Sequence, residues 1–365
     1  MKKRLLALTL SFAMLLTLLA ACGSSGGSAG KPSDQPGGSN SAAPADDGKT
    51  YTMRIGTLTV ETEQNTATAL DFAEKIEAAT DGRVTVQVFP TGQLGTAAQM
   101  IEGMQTGSIE GGLFPTDYLT SADPSVAFIG VPGFAGNDID SLCAVMNELG
   151  GVDIVNDSLT QVGLHMVGLL YTDKYSYLLS DKRVNSLDDT KGMKLWAPPS
   201  DYTSAIISGM GATATFFDTS DLAVSIQQGT INGALASPAL YAAQKLYETD
   251  KYCLGMVGRA GATAFILSES FLNGLPEDLR QTVLDVAKGS IIDFEYQYAA
   301  DAAEANLKIL TDNGCEVYMS SDMPELQDEL EKLYEENRQL YLSNVSNGQE
   351  LYEQFQALLA QYDAG

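Results

Sequence analysis

Apolar and polar positions follow two different periods along this chain. Val84, Val86 and Val88 recur at every second position, which is typical of a strand with one buried face. Between residues 65 and 80 the apolar residues recur at helical spacing instead. Read in this way, the chain predicts strands at 51–58, 83–89, 109–114, 163–170, 175–179, 193–196, 212–216, 231–235 and 263–267, and helices at 65–80, 96–105, 201–209 and 219–228. This alternation indicates an α/β fold with a largely parallel sheet and helices on its faces.

The pattern changes after Pro276. Residues 277–310 predict one long helix, followed by a strand at 315–319 and helices at 324–342 and 349–361. The folded part, residues 50–365, exceeds the size at which single cores usually stop growing, and a helix this long must span more than one lobe. We therefore expect two lobes, with a ligand cleft between them. Lobe I is predicted at about 50–172 plus about 262–310, and lobe II at about 173–261 plus the C-terminal helices.

The N-terminus predicts export and a lipid anchor. A basic start at residues 2–4 precedes an apolar run from Leu5 to Ala20, which is too short for a permanent membrane span. The junction at residues 19–22, Leu-Ala-Ala-Cys, resembles the bacterial lipobox, so residues 1–21 are predicted to be a lipoprotein signal peptide and Cys22 to be acylated. The alternative is an ordinary cleaved signal. Residues 22–49, rich in Gly, Ser and Pro, predict a disordered tether on the outer face of the cytoplasmic membrane.

The charge of the chain argues against nucleic acid and anionic lipid as partners. The sequence holds 21 basic and 47 acidic residues, a net charge of −26. Loss of Lys2, Lys3 and Arg4 with the signal leaves 18 basic residues and a net charge of −29. Such an acidic chain is a poor partner for nucleic acid, so we expect no nucleic-acid binding.

Signals of enzymatic chemistry are weak. The one histidine, His165, lies within an apolar strand, and we interpret it as a satisfied core residue. A G-x-G-x-x-A motif at 209–214 follows a helix and precedes a strand, the reverse of its order in dinucleotide-binding folds. Cys143, Cys253 and Cys315 have no spacing typical of a metal site and are predicted to be core residues. The sequence therefore predicts a protein that is not an enzyme and that has no cofactor. It contains no specific cluster of metal ligands, although its many Asp residues make a metal bound together with a ligand possible.

Four segments, in order, resemble the substrate-binding proteins of TRAP transporters. They are TDGRVTVQVFPTGQLG at 80–95, LDDTKGMKL at 187–195, the run from 211 to 248 that contains SIQQGTING, and LPEDL at 275–279. The resemblance implies a two-lobed fold similar to periplasmic binding proteins, with a hinge and a long bridging helix. It also implies a function: capture of a small organic solute in the cleft and its delivery to the small and large membrane subunits of a transporter. The alternative is a surface sensor or adhesin that keeps the fold without a permease.

One position departs from the family pattern. The resemblance implies an Arg that holds a ligand carboxylate at the end of the second segment, but Trp196 stands there. An indole in a cleft would favour a neutral, aromatic or cationic solute. Alternatively the ligand is acidic and Arg259, in a Gly-rich stretch, supplies the cation, or Trp196 is a core anchor. We favour a ligand that is not a simple monocarboxylate.

Further ligand-binding candidates come from loop positions that follow strands or that the resemblance places near the ligand. Phe217 is the strongest of them, because the family often has an aromatic residue there. The others are Thr59, Thr116, Asp117, Tyr171, Ser237 and Tyr241.

Overall fold

The computed structural model describes residues 48–61, 63–171 and 173–364. Cys22, the predicted signal peptide and all but the last residues of the predicted tether lie outside these ranges. In the described part the strands are β1 (Tyr51–Thr57), β2 (Val84–Phe89), β3 (Gly111–Pro115), β4 (Leu164–Leu170), β5 (Ser176–Ser180), β6 (Lys194–Trp196), β7 (Thr213–Thr215), β8 (Gly233–Ala236), β9 (Tyr252–Met256), β10 (Thr263–Ser268) and β11 (Glu316–Met319).

Helices separate most of these strands. They are α1 (Gln64–Ala79), α2 (Ala97–Gln105), α3 (Ile139–Cys143), α4 (Gly151–Leu159), α5 (Asp201–Gly209), α6 (Leu222–Gln227), α7 (Pro238–Ala243), α8 (Glu269–Asn273), α9 (Glu277–Gly289), α10 (Tyr296–Asp312), α11 (Pro324–Asn344) and α12 (Gly348–Ala364). None of the helices in the described ranges is both long and apolar enough to cross a membrane.

The strands form two sheets, one in each lobe. The sheet of lobe I has the order β2-β1-β3-β10-β4, and the sheet of lobe II has the order β11-β9-β5-β8-β6-β7. Both sheets are mixed, which corrects the expectation of a largely parallel sheet. β10 runs antiparallel to β3 and β4, and β5 runs antiparallel to β8 and β9, while the other pairs are parallel.

The antiparallel strands are the ones that enter from the other lobe. Residues 171–175 connect β4 in lobe I to β5 in lobe II, and residues 257–262 connect β9 in lobe II to β10 in lobe I. Because these links are too short for a helical crossover, each new strand starts at the sheet edge where the chain arrives and runs back against its neighbours. Six residues span at most about 20 Å, so the two sheets present these edges to each other.

Each sheet has an apolar core on both faces. On the lobe I sheet, Leu113 and Phe114 are fully buried and belong to opposite cores, as the alternation of a strand requires. α1 and α9 cover one face, and the 3-10 turns after β3 with α3, α4 and α12 cover the other. On the lobe II sheet, α5 and α11 cover one face, and α6, α7 and α10 cover the other.

The predicted long helix bridges the two lobes. α9, a π-helical segment at Ser290–Glu295 and α10 follow each other without a break from residue 277 to 312. α9 packs against α1 in lobe I, whereas α10 packs against α7 and β11 in lobe II. The bridging helix is thus confirmed, with a widened segment between its two halves.

The C-terminal helix differs from the predicted lobe assignment. Phe355 of α12 lies 4.3 Å from Phe128 and 6.2 Å from Phe134, measured between ring centroids, and all three rings are buried in the lobe I core. α12 therefore packs on lobe I, although the sequence placed the C-terminal helices in lobe II. The sequence predicts no element for residues 116–162 or for β9, whose Gly255 begins the Gly-rich stretch that contains Arg259.

Candidate functional site

Strand ends from both lobes converge at the facing edges of the sheets. In lobe I, β1, β3 and β4 run in the same direction, so Thr59, Thr116 and Tyr171 follow their carboxyl ends at one edge. In lobe II, Phe217 and Ser237 follow β7 and β8 at the corresponding edge. Binding sites in two-lobed α/β proteins form where such ends meet. This edge is therefore the candidate functional site.

Trp196 ends β6 but is buried beneath this edge. Its side chain is 2% exposed, and the indole N–H donates to the backbone carbonyl of Phe217 at 3.0 Å. The two rings lie 6.4 Å apart between centroids, and Phe217 is half-buried. This burial differs from the predicted cleft position and agrees with the alternative interpretation of Trp196 as a core anchor. Because the N–H already has an acceptor, the ring needs no solute to satisfy it.

Tyr241 belongs to the same core. It is fully buried, and its Oη lies 2.6 Å from the carbonyl oxygens of Tyr177 and Ala234. The same oxygen accepts a hydrogen bond from the N–H of Ala236 at 2.9 Å. Tyr241 therefore ties β5 to β8 from below, and its predicted contact with a ligand stays a prediction.

Asp117 and Arg259 are brought together between the lobes. Thr203 Oγ1 donates to Asp117 Oδ1 at 3.0 Å, and Arg259 Nη2 donates to Thr203 Oγ1 at 3.0 Å. Arg259 Nη1 also bonds Ser176 Oγ. Burial raises the pKa of Asp117, and the Arg259 guanidinium opposes that rise. Arg259 is 5% exposed, so the predicted cation lies inside the protein with a carboxylate nearby.

The partly accessible surface of this edge is aromatic and acidic. Phe216, directly after β7, is 45% exposed, and Asp218 is exposed two residues later. Tyr118 of lobe I is half-buried, and burial together with the charges of Asp117 and Asp218 raises its pKa to about 12. The Tyr118 hydroxyl of lobe I is therefore influenced by carboxylates from both lobes.

Asp173 adds a buried carboxyl group in the first link between the lobes. The side chain accepts a hydrogen bond from the backbone N–H of Ala239, in the first turn of α7. Its Oδ1 has no hydrogen-bond partner among the described residues, and burial raises its pKa to about 7. Asp173 is 5% exposed, beneath the edge and not on its surface.

The remaining candidates make local contacts. Thr59 is half-buried, with its Oγ1 3.0 Å from Thr66 Oγ1. Thr116 is 3% exposed, and its N–H donates to the carbonyl of Ala262 at 3.0 Å. The half-buried Tyr171 donates its hydroxyl to Asp140 at 2.7 Å, and Ser237 caps α7 by accepting the N–H of Leu240 at 3.3 Å.

His165 lies far from this edge. It stands near the opposite end of β4, about 16 Å along the strand from Leu170. Its Nδ1 is 3.1 Å from Glu269 Oε2, and burial lowers the pKa of the ring although Glu269 opposes this. The histidine is a partnered structural residue, as the sequence predicted.

Sequence reasoning missed three residues of the interlobe contact, namely Ser176, Ser200 and Thr203. Ser200 had a detectable signal, because a Ser before a helix is typical of an N-cap, and its Oγ does accept the N–H of Thr203 at 3.3 Å. The role of Thr203 had no local signal, since it depends on Asp117 and Arg259, which are distant in sequence.

Comparison with known proteins places this geometry in a family. The profile of bacterial extracellular solute-binding proteins, family 7 (DctP), matches residues 55–341. A solute-binding protein of Roseobacter denitrificans is 25% identical over 236 residues, which cover 65% of this chain and 72% of that protein.

Two solved structures share the fold. A TRAP periplasmic solute-binding protein of Desulfovibrio salexigens with bound orotic acid has a TM-score of 0.78 at 22% identity, over 86% of this chain and 99% of that one. A second, from Sulfitobacter with bound β-D-galacturonate, has a TM-score of 0.76 at 23% identity, over 84% and 99% of the two chains.

The fold and its converging strand ends are those of an extracytoplasmic solute-binding protein. Since the family profile covers most of its length, the chain belongs to the DctP family of bacterial extracellular solute-binding proteins. TRAP solute-binding proteins, which share this fold, bind small organic solutes and interact with TRAP membrane components.

Proposed function

We propose that the chain is the solute-binding component of a TRAP-type transporter. In this role it captures an organic solute that is not a simple monocarboxylate and delivers it to the membrane subunits. The proposal rests on one observation: the basic residues on the two interlobe links already form hydrogen bonds or ion pairs with other residues of the protein. Arg259 donates to Ser176 and Thr203 within the protein. Lys174 Nζ lies 3.9 Å and 3.8 Å from the carboxylates of Asp138 and Asp140.

The side chains that remain accessible favour a neutral or cationic solute with an apolar or aromatic face. Phe216 and Phe217 offer ring surface, and Asp218 is an exposed carboxylate beside them. Carboxylates and aromatic faces attract cations, and rings stack on planar or sugar-like solutes. The two compared structures hold galacturonate and orotic acid, so this chain is proposed to differ from them in ligand charge.

A thermal-shift screen of the chain from Gly48 onward tests the ligand class. The panel contains simple monocarboxylates, sugar acids, neutral sugars, aromatic amines and quaternary ammonium compounds. A ligand present at a hundred times its Kd stabilises the folded state by about 2.7 kcal/mol, enough for a clear rise in Tm. We expect stabilisation by neutral or cationic compounds, and stabilisation by simple monocarboxylates alone would overturn the proposal.

Phe217 provides the matching site test. Phe217→Ala is expected to raise the Kd for the solute found in the screen by about tenfold, because a stacked ring is lost. Phe271→Ala removes a half-buried ring from α8 in lobe I and serves as the control. Equal binding by both variants would remove Phe217 from the site.

We also infer that Cys22 carries the lipid that holds the protein at the membrane. The support is the lipobox-like junction at residues 19–22 and the apolar run before it. Labelled palmitate is expected to enter the wild-type chain, and Cys22→Ser is expected to prevent labelling and release the protein from the membrane fraction. Membrane retention of an unlabelled Cys22→Ser variant would contradict the anchor.

A further inference from the structure

Three side chains from three parts of the fold form one hydrogen-bonded contact, which we call the latch: Asp117, Thr203 and Arg259. The Thr203 hydroxyl donates its single hydrogen to Asp117 Oδ1 and accepts from Arg259 Nη2, each at 3.0 Å. The hydroxyl therefore lies between a carboxylate and a guanidinium, and both hydrogen bonds involve a charged partner when Asp117 is ionised. Such bonds are stronger than neutral ones.

The latch connects both lobes and both links. Asp117 follows β3 in lobe I, Thr203 lies in the first turn of α5 in lobe II, and Arg259 lies in the second link. Ser176, where the first link enters β5, donates its N–H to the Arg259 carbonyl at 2.7 Å and bonds the guanidinium through Oγ. A change in the angle between the lobes therefore acts on these contacts.

The lobe I carboxylate is placed at the N-terminus of a lobe II helix. Asp117 is also hydrogen-bonded to Ser200, the N-cap of α5. The first turn of a helix carries unpaired N–H groups and the positive end of its dipole, so an anion from the opposite lobe is stabilised there. Arg259 adds a full positive charge on the same side.

Thr203 and Arg259 of the latch are buried, Asp117 is half-buried, and not every polar group around them has a hydrogen-bond partner among the described residues. Thr203 is 2% exposed and Arg259 is 5% exposed, so neither presents a surface to a ligand. Among the described residues, Arg259 Nε and the hydroxyl of Tyr334 on α11 are buried without a hydrogen-bond partner. Gly258, at φ +92°, lies against that tyrosine ring. Unused donors beside the link leave room for an exchange of partners when the lobes move.

We propose that the latch sets the balance between open and closed arrangements of the two lobes, and that it controls solute affinity without touching solute. The inference rests on the solute-binding function and is independent of the proposed ligand class. When only a fraction of molecules adopts the binding arrangement, the apparent affinity falls by that fraction. Loss of one charge-assisted hydrogen bond is expected to change the ratio of arrangements by roughly tenfold.

Distance measurement on the full-length protein without solute tests the latch. Spin labels are placed through p-acetylphenylalanine at two exposed positions, Glu102 on α2 in lobe I and Gln228 after α6 in lobe II. Pulsed electron paramagnetic resonance then gives the distribution of interlobe distances. We expect Thr203→Val and Asp117→Asn each to shift this distribution to longer distances, and Thr203→Ser to restore the wild-type distribution.

A control variant distinguishes a change in interlobe distance from a general loss of stability. Thr80→Val removes another buried hydroxyl, one that donates to Ile76 within lobe I at 2.7 Å. It is expected to lower the Tm without changing the interlobe distances. Folded Thr203→Val and Asp117→Asn proteins with the wild-type distribution would overturn the latch. Because no solute is present, failure here is distinguishable from a wrong ligand class.

Discussion

Trp196 combines a buried ring with a hydrogen-bonded N–H group, and both depend on residues outside its own strand. Phe217 supplies the acceptor and Tyr241 belongs to the same core. Its position at a strand end could be predicted from the local pattern at residues 193–196. Its burial could not, because that depends on packing by residues distant in sequence. The same holds for Arg259, whose hydrogen-bond partners Ser176 and Thr203 lie in other elements.

The burial of Trp196 predicts a stability role. Trp196→Phe removes the indole N–H and leaves the Phe217 carbonyl without its donor, in addition to a cavity. We expect the free energy of unfolding to fall by about 2–4 kcal/mol, measured by urea denaturation followed by circular dichroism. Tyr362→Phe, at a ring that is 40% exposed, is the control and is expected to change it by less than about 0.5 kcal/mol. If Trp196→Phe left the free energy of unfolding unchanged, the interpretation of Trp196 as a core anchor would be wrong and its predicted place in the cleft would be favoured.

Asp250 predicts a pH dependence of stability. It is 1% exposed, its Oδ2 has no hydrogen-bond partner in the described part of the chain, and burial, with a contribution from Asp181, raises its pKa to about 7. The folded state therefore binds the proton more tightly than the unfolded state, in which the pKa is about 3.9. Stability from this group is present at low pH and is lost as the pH rises through 7.

Asp250→Asn should therefore raise the Tm at pH 8 by a few degrees and have little effect at pH 4, where the wild-type carboxyl is protonated in the folded protein. Thermal unfolding between pH 4 and pH 8 measures the difference. Asp328→Asn, at an exposed position on α11, is the matched control and should show no such pH dependence. An increase in Tm that is equal at all pH values would contradict the raised pKa of Asp250.

At the scale of elements, local periodicity predicts the existence of strands and helices better than their direction. β5 and β10 could be identified from apolar runs, but their antiparallel direction follows from the lobe crossings, which no local pattern records. The helix from residue 277 onward was predicted as a single α-helix. Its π-helical segment comes after Gly289, where the helix passes from α1 to α7. No local pattern at residues 277–310 indicates this segment.

Phe355 of α12 lies far from the candidate site, but its substitution is expected to lower the stability of the protein strongly. Phe355 is fully buried against Phe128 and Phe134, so Phe355→Ala should lower the free energy of unfolding by about 3–5 kcal/mol. Phe216→Ala removes the same ring at a position that is 45% exposed and is the control for side-chain size. Chemical denaturation measures both. A loss below about 1 kcal/mol for Phe355→Ala would show that α12 does not belong to the lobe I core.

At the scale of the whole molecule, the two lobes are joined by more than the two short links. The helices from residue 277 to 312 contact both lobes. α11 packs on α5 in lobe II, and its Tyr341 packs at 4.8 Å from the ring of Phe134 in lobe I. Tyr202 of α5 also belongs to the lobe I core. These shared contacts oppose the separation of the two lobes during unfolding.

This coupling predicts that the lobes unfold together. Calorimetry of the wild-type protein should show one transition. Phe72→Ala in the lobe I core and Ile207→Ala in the lobe II core should each move that whole transition to a lower temperature, because either lobe alone would expose the apolar residues it shares with the other. Two transitions, with each variant moving only one of them, would show that the lobes are independent in stability. The latch would then join two separately folding units.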